Sequence, residues 1–515
     1  MRKTLSWVTP SLSLAFFCAA NAAAEPMPAN PDSALLAVLG ELRGTSLPLE
    51  VAVQHALKNA TSIRRAEATY LAAAGAVRRE RGAFDPEFFF SLDYQDREQP
   101  TASFFAGASV LATQQTASRT GLRMDLPVGT KLELALNTVR LNTNSQFAFL
   151  DPEYNTSGSF SIRQPLLRGF AKSARKGLSH AERALAAEKA RYDQQVLALN
   201  AEVEHRYWDL YAAERDYAVQ RFLRDRATAF LEETQLRTQA GIIGPNQAAN
   251  ARTFLAEQQL LLIDREEQLD RQSDQLASLI GVRPEAGMPR FIPIDDPPSD
   301  FPSEPVERLI ERALKNNLDL QAAHQDLEAA QALVNAAKWE ARPRADLVGS
   351  LGGAGLSGTA QEVVFGSDTL RTARSGGSGE ALSQAAKREF PNWSVGLELS
   401  IPIGFRSALG EQERLEAQVL SARQVHLEKS RLLEEQVRAT WRELAHGKSR
   451  LEAAREGVEA AQEQMRIGVV EFHNGRSTAF ELVHLGADLA VAQRRYSDAL
   501  VRTAKAAATL KQLTH

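Results

Sequence analysis

A single cysteine, Cys18, occurs in 515 residues, and it sits in the N-terminal leader. The rest of the chain has none, which excludes disulfides, thiolate metal sites and thiol catalysis. Beyond the leader no apolar run reaches the 18 or so residues that a membrane-crossing helix needs, and the mean hydropathy is −0.29. Basic excess is missing too: the formal net charge is −4, and −6 once Arg2 and Lys3 leave with the leader. A phosphate-binding surface needs clustered Lys and Arg, so no nucleic acid is expected as a partner. The histidines lack a metal-ligand spacing, no Gly-rich loop joins a strand to a helix, and no nucleophile elbow occurs. The expectation is a protein without catalytic site, cofactor or metal, and not an enzyme.

What is present begins with an export signal. Arg2 and Lys3 precede an apolar run over residues 12–20, and small residues Ala22, Ala23 and Ala24 lead to Glu25. This is the three-part pattern of a secretory signal, read as residues 1–24. Phe17 stands before Cys18 where a lipid-attachment signal has a small residue, so no lipid anchor is expected. Residues 25–46 form the mature N-terminal segment.

The remaining chain is duplicated. Ala56, Leu57, Lys58 and Asn59 recur as Ala313, Leu314, Lys315 and Asn316, and Ala66, Val77 and Pro86 match Ala323, Val334 and Pro343 at the same separation of 257. Later, Gly241, Leu255, Leu276 and Leu279 match Gly475, Leu489, Leu510 and Leu513 at a separation of 234. Repeats of this kind mark a shared structural unit. Repeat 1 spans residues 47–281 and repeat 2 spans 305–515. Residues 282–304 carry Pro284, Pro289, Pro293, Pro297, Pro298 and Pro302, a composition that breaks helix and sheet and reads as a linker. Each repeat is expected to run as a helix of about 35 residues, β segments, a very long helix, a glycine turn and a last helix.

The long helices carry heptads. Val196, Val203, Leu210 and Tyr217 are seven apart, as are Val437, Leu444, Leu451, Val458 and Met465, and Leu482, Leu489, Tyr496, Thr503 and Leu510. A sustained 3.5-residue spacing means coiled-coil packing. The β segments alternate instead. Trp393, Val395, Leu397, Leu399 and Ile401 interleave with Ser394, Gly396, Glu398 and Ser400, and Phe88, Phe90, Leu92 and Tyr94 behave likewise. Further alternation runs through Leu122 and Met124, through Leu132, Leu134 and Leu136, and through Phe160 and Ile162. Such faces suit lipid on one side and water on the other, though a soluble sheet with one buried face alternates in the same way. The export signal and the long flanking helices favour the membrane wall, with Gly/Ser-rich residues 352–358 and 375–379 as loops at the strand tips. Phe89, Phe147, Phe149, Tyr154 and Trp393 are candidates for an interfacial girdle. One chain offers four to six strands, too few to close a barrel alone.

This duplicated order resembles the TolC family of outer-membrane efflux proteins. The opening Leu49-Glu50-Val51-Ala52-Val53-Gln54-His55-Ala56-Leu57 is similar to the family's first-helix start, Gln164-Pro165-Leu166-Leu167-Arg168-Gly169 to its strand-to-helix exit, and Phe472-His473-Asn474-Gly475-Arg476-Ser477 to its periplasmic turn. The resemblance implies a mostly α chain with transmembrane β-strands. Its coiled-coil helices would form a periplasmic α-barrel, and its strands would join a shared β-barrel in a homotrimer, four from each chain making twelve. It also implies the outer membrane as location, outer-membrane lipid around the wall, and a periplasmic adaptor (membrane fusion protein) with an inner-membrane pump as partners. The function implied is a passive export conduit of a tripartite efflux or type I secretion-like system. The stretch from Leu122 to Leu136, with its turn at residues 127–130, exceeds the family's two strands in repeat 1 and is taken as an extracellular hairpin.

In the family, acidic residues after the second glycine turn ring the periplasmic aperture. Carried onto this chain, the first such position is Glu481 and the second is His484. His484 departs from the pattern, which weakens simple cation selectivity and supplies a side-chain type that titrates near neutral pH. Arg476 lies on the same turn, and Gln247 and Asn250 are the repeat-1 counterparts, uncharged and able to hydrogen-bond. Gly241 and Gly475 are the turns that an adaptor would meet. The rival reading is a soluble periplasmic or secreted coiled-coil structural or adaptor protein, which would be extracted without detergent.

Overall fold

The computed structural model describes residues 38–298, 304–366 and 368–515. The expected signal, Cys18, residues 25–37 and linker residues 299–303 lie outside them. In chain order, β1 (Thr45–Leu47) leads to α1 (Leu49–Asn59) and α2 (Thr61–Gly82). Four strands follow: β2 (Glu87–Pro100), β3 (Val110–Asp125), β4 (Lys131–Thr143) and β5 (Leu150–Pro165). The long helix α3 (Lys176–Gln239), α4 (Pro245–Ile280) and β6 (Phe291–Pro293) close the first half. The second half runs α5 (Val306–Asn316), α6 (Leu318–Glu340), β7 (Arg344–Ala360), β8 (Glu362–Phe365), β9 (Asp368–Arg371), α7 (Ser378–Lys387), β10 (Phe390–Ser400), α8 (Arg406–Ala445), α9 (Gly447–His473) and α10 (Ala479–Thr514).

The helix of about 35 residues expected at the head of each repeat is two helices. Ala60 (φ −61°, ψ 128°) and Asn317 (φ −58°, ψ 123°) leave the helical region at equivalent places. Asn317 caps α6 by accepting from the Leu320 N–H at 3.1 Å, the role that Asn plays at a helix start. Each junction also closes on the last helix of its own repeat: Asn59 Nδ2 donates to the Ile280 carbonyl (3.3 Å) and Asn317 Nδ2 to the Leu513 carbonyl (3.4 Å). The repeat-2 long helix is likewise divided, at His446, whereas α3 runs unbroken for 64 residues, about 96 Å.

The chain divides into two compact units, whose boundaries at residues 200/201 and 438/439 fall inside α3 and α8. The first, the wall unit, holds residues 60–200, 306–438 and 512–515. Its main sheet has six strands in the order β10-β7-β5-β4-β3-β2, every neighbouring pair antiparallel. Two expectations fail here. First, β3 and β4 are full members of this sheet, of 16 and 13 residues, not a hairpin beyond it. Their turn returns to the helix-bearing end, where the Ala171 N–H donates to the Val128 carbonyl (3.0 Å) at the exit from β5. The even strand count preserves the exit direction, so periodicity alone did not separate a wall hairpin from a loop hairpin. Second, residues 352–358 are strand, within β7. Their glycines seat α7: a Cβ at Gly355 would fall 2.0 Å from the Ala381 carbonyl oxygen, and one at Gly353 2.5 Å from that of Ala385. On the helical side of this unit, Val334 and Ala337 of α6 pack with Leu415 of α8.

The second, helical unit holds residues 38–59, the described part of 201–305, and 439–511. Many of its heptad positions are buried: Val203, Leu210 and Val458 are fully inaccessible, and Leu451, Leu489, Tyr496 and Thr503 nearly so, while Tyr217, Leu444, Met465, Leu482 and Leu510 are half-buried. The proline-rich linker is more structured than its composition suggests. β6 pairs in parallel with β1, with Thr45 opposite Phe291 and Leu47 opposite Pro293. Proline is tolerated there because a two-stranded ribbon leaves its N–H side free. Asp295 then caps α1, its Oδ2 accepting from the Leu49 N–H at 2.7 Å, where the helix dipole favours negative charge. The Tyr207 hydroxyl accepts from the Ile294 and Asp295 N–H groups (3.0 and 3.1 Å) and lies 2.9 Å from the Leu47 carbonyl. Residues 294–296 are therefore fastened to α3, while the Phe291 N–H donates to Ser273 Oγ of α4 at 2.9 Å.

Candidate functional site

Strand register decides what the wall unit can do. One ladder row contains Trp393, Leu351, Phe160, Leu134, Leu122 and Phe88, one residue from each of the six strands. All six are exposed, from Phe160 at 43% to Trp393 at 73%. The adjoining row is Ser394, Ser350, Ser161, Glu133, Arg123 and Glu87, polar throughout. Because successive side chains on a strand point to opposite faces, all six strands present apolar side chains to one face along the first row and polar ones to the other face along the second. Val395, Leu397 and Leu399 continue the apolar face, and Ile401 follows just beyond β10, all more than half exposed. An exposed apolar band of this breadth marks a surface that meets another protein or a membrane.

Of the girdle candidates, Tyr154 shares the apolar face with Tyr94 in one ladder row, Ser357-Tyr154-Arg140-Thr116-Tyr94. Phe89 does not: it turns to the charged face, where the Arg119 guanidinium stands 5.4 Å from its ring. That charged face is internally paired. Arg163 Nη1 meets Asp346 (3.0 Å) and Glu398 (2.5 Å), and Arg344 meets the same Asp346 carboxylate. Arg123 makes a two-pronged contact with Glu87, both bonds 2.7 Å. Alternation had put Glu398 on the watery side; that it joins Arg163 and Asp346 across β10, β5 and β7 depends on strand order, which the sequence does not carry.

The two glycine turns of the helical unit have one geometry. At Gly241 (φ +73°) the glycine N–H donates to the Thr238 carbonyl and the Ile242 N–H to that of Arg237; at Gly475 (φ +71°) the corresponding bonds run to Phe472 and Glu471. This is a left-handed helix cap with the 6→1 bond of a Schellman turn. No atom lies within 4 Å of a Cβ added at either glycine, so backbone conformation and not space demands glycine. After the second turn, Glu481 is held in a start-of-helix arrangement: its N–H donates to Thr478 Oγ1 (3.3 Å) and its Oε2 accepts from Ser477 Oγ (2.9 Å). Thr478 with Glu481 matches the T-x-x-E spacing of a capping box, a signal available in the sequence that the gate reading passed over. His484 is 73% exposed, with Nε2 4.0 Å from Asp488 Oδ2. Arg476, Gln247 and Asn250 are exposed as well. Behind the turns, Phe230 and Phe472 meet at 6.4 Å between ring centres, and Arg237 lies over Phe472 while pairing with Glu233. Phe230, Phe472 and Glu233 line a cavity of about 190 Å³ with Met465, Leu482 and Leu489.

The sequence model of the outer membrane efflux protein family matches residues 52–282 and 309–514. The chain belongs to this family. No curated protein sequence matches. Among solved structures, the chain is similar to the outer-membrane channel OprN (18% identity, TM-score 0.63, covering 90% of this chain and 89% of that one). It is also similar to the outer membrane protein VceC of Vibrio cholerae (15%, 0.63, 90% and 95%) and to CusC (12%, 0.64, 92% and 94%). The protein is thus an outer-membrane efflux channel of the TolC type, and its family is one of channels, not of enzymes. The duplicated helix-strand-helix plan read from the sequence is the plan of this fold, and the soluble-adaptor alternative is not favoured.

For a channel protomer, the least expected side chains are charged ones inside the helical unit. Glu214 is 6% exposed, and burial pushes its carboxyl up to about 7, with Arg215 opposing the shift and Asp296 adding to it. The Arg215 guanidinium lies 4.5 Å from the Tyr211 ring, and Asp296 Oδ1 accepts from Tyr211 (2.8 Å) and Arg215 (3.2 Å). Burial also raises the Asp216 carboxyl, offset by Arg494. Nothing in a heptad pattern reports such burial, because Glu214 sits beside, not on, the apolar row. No group of His, Cys, Asp and Glu able to hold a metal occurs among the described residues, and no helix among them is long and apolar enough to cross a membrane.

Proposed function

We propose that three copies of this chain form a passive export conduit in outer-membrane lipid, joined at their periplasmic tips to an adaptor and through it to an inner-membrane pump. The observation that supports this reading best is the row of six exposed apolar side chains beside a row of six polar ones, since a half-wall with lipid on one side and water on the other needs further copies to close. In the same reading, Glu481, His484 and Arg476 on one turn and Gln247 and Asn250 on the other ring the closed aperture. Their exposure in a single chain fits groups that find partners across a symmetry axis. Gly241 and Gly475, which present backbone in matching conformations, are the surfaces an adaptor would grip.

The test is extraction and reconstitution. The full chain, released from the outer-membrane fraction only by detergent, should migrate as a heat-modifiable trimer and give discrete conductance steps in planar bilayers. Release by salt alone as a monomer that gives no conductance would overturn the reading.

A further inference from the structure

The sheet has two open edges, β10 and β2, and no strand among the described residues covers either. Both edge strands are exposed along nearly their whole length, and a row of unpaired backbone groups is a template for another strand. Six strands are too few to close on themselves, since closure needs about eight. Chain direction alternates strictly across the sheet: β10 runs toward the helix-bearing end, as β5 and β3 do, while β7, β4 and β2 run away from it. The two free edges therefore run in opposite directions, and β2 of one chain is matched to β10 of the next by an ordinary antiparallel ladder.

Removing β3 and β4 from the wall is not an available arrangement. β2 is paired only with β3, over fourteen residues from Glu87 opposite Arg123 to Pro100 opposite Val110, and its path to β5 runs through β4. Leu122 and Leu134 hold the middle of the exposed apolar row, between Phe88 and Phe160. Resting on the threefold reading above, we infer that β2 of each chain pairs with β10 of its neighbour, so that three chains close one barrel of eighteen strands, where four strands per chain would give twelve. At strand spacings of about 4.8 Å and tilts of about 40°, the backbone diameter is about 36 Å, against about 24 Å for twelve strands. Barrels of that size leave an aqueous channel. The charged face inside carries paired Arg163, Asp346 and Glu398, which leaves little net field along this stretch. Selection of cargo by size or charge is then a property of some other part of the conduit, and bulky cargo crosses the wall freely.

Electron cryo-microscopy of the full chain in lipid nanodiscs reads copy number and strand number separately. Three copies with eighteen strands is the expected result. Three copies with twelve strands would overturn this inference and leave the conduit reading standing; any other copy number, or no closed ring, would overturn both the threefold reading and the count. A second measurement places β3 and β4 without a reconstruction. In a Cys18→Ser background, nitroxides at Leu122→Cys and Leu134→Cys should show an oxygen-to-nickel-chelate collision ratio several-fold above that at Ala117→Cys and Asn137→Cys, which lie on the other face of the same strands. Equal ratios at all four sites would put the hairpin in water and refute the eighteen-stranded wall.

Discussion

Glu214→Gln should stabilise the protein at alkaline pH and do almost nothing at mildly acidic pH. The folded carboxyl titrates at about 7 against 4.5 for an ordinary glutamate, chiefly because burial penalises its charge. Between those two values the folded state holds a proton that the unfolded state has lost, so stability falls as pH rises across this window. Below about 4.5 both states are protonated and the group contributes no pH dependence; above about 7 the full penalty is present. Two and a half units correspond to about 3 kcal/mol at 1.36 kcal/mol per unit, an upper figure if neighbouring groups relax. Glutamine keeps the shape and cannot ionise. Thermal unfolding of wild type and variant in detergent, at one fixed scan rate, should therefore show nearly coincident midpoints at pH 4 and a midpoint several degrees higher for the variant at pH 8. The groups that face this carboxyl are Arg215 and Asp296. Equal midpoints at both pH values, or a variant weaker at pH 8, would mean that Arg215 compensates the buried charge, and the argument from burial would fail.

Three further outcomes follow from the geometry. Gly241→Ala and Gly475→Ala each force a left-handed backbone onto a residue with a Cβ and should cost about 1–2 kcal/mol without any clash, so limited proteolysis should cut faster at the substituted turn and nowhere else. Leu134→Arg, in the centre of the apolar row, should lose about 2–4 kcal/mol of membrane stability, read as loss of heat-modifiable oligomer, whereas Asn137→Arg on the opposite face should assemble normally. Replacing Glu481 and His484 together with alanine should raise single-channel conductance; a Thr478→Ala control, which loosens the same helix start while keeping both side chains, should not, and unchanged conductance in the double variant would end the gate assignment.

How much of this was legible before any coordinates depends on the range of the physical signal. Heptads named Val203, Leu210, Val458 and Leu489 as core because coiled-coil packing is local and periodic, and alternation put Trp393 and Phe88 on an apolar face for the same reason. The breaks at Ala60 and Asn317 escaped because a single extended residue scarcely disturbs the apolar period on either side. Residues 352–358 were misread because glycine signals both a turn and a notch for a neighbouring backbone, and only the position of α7, itself unforeseen, separates the two. The linker misled by composition: its prolines do end helices, yet Phe291 docks it to α4 through Ser273 and Asp295 and Asp296 dock it to α3, and docking is a long-range property. The aperture candidates fared differently again, since Glu481 was singled out by likeness to a family while its own neighbours, Ser477 and Thr478, supply a local reason for a glutamate there.

That local reason bears on the proposed gate. A carboxylate that accepts from Ser477 and lies at the start of α10 is held by its own helix, whether or not a neighbouring chain offers a partner. A latch built on such a group opens without leaving a bare charge behind, because the capping contacts remain when the contacts between chains are lost. His484 lies one turn further along and faces Asp488 at 4.0 Å, with no hydrogen bond to the cap. If the aperture responds to pH, the response should therefore vanish in His484→Gln and survive in Ser477→Ala. Conductance measured across neutral pH in those two variants separates the contribution of His484 from that of the cap, and an unaltered pH response in His484→Gln would move it to another group altogether.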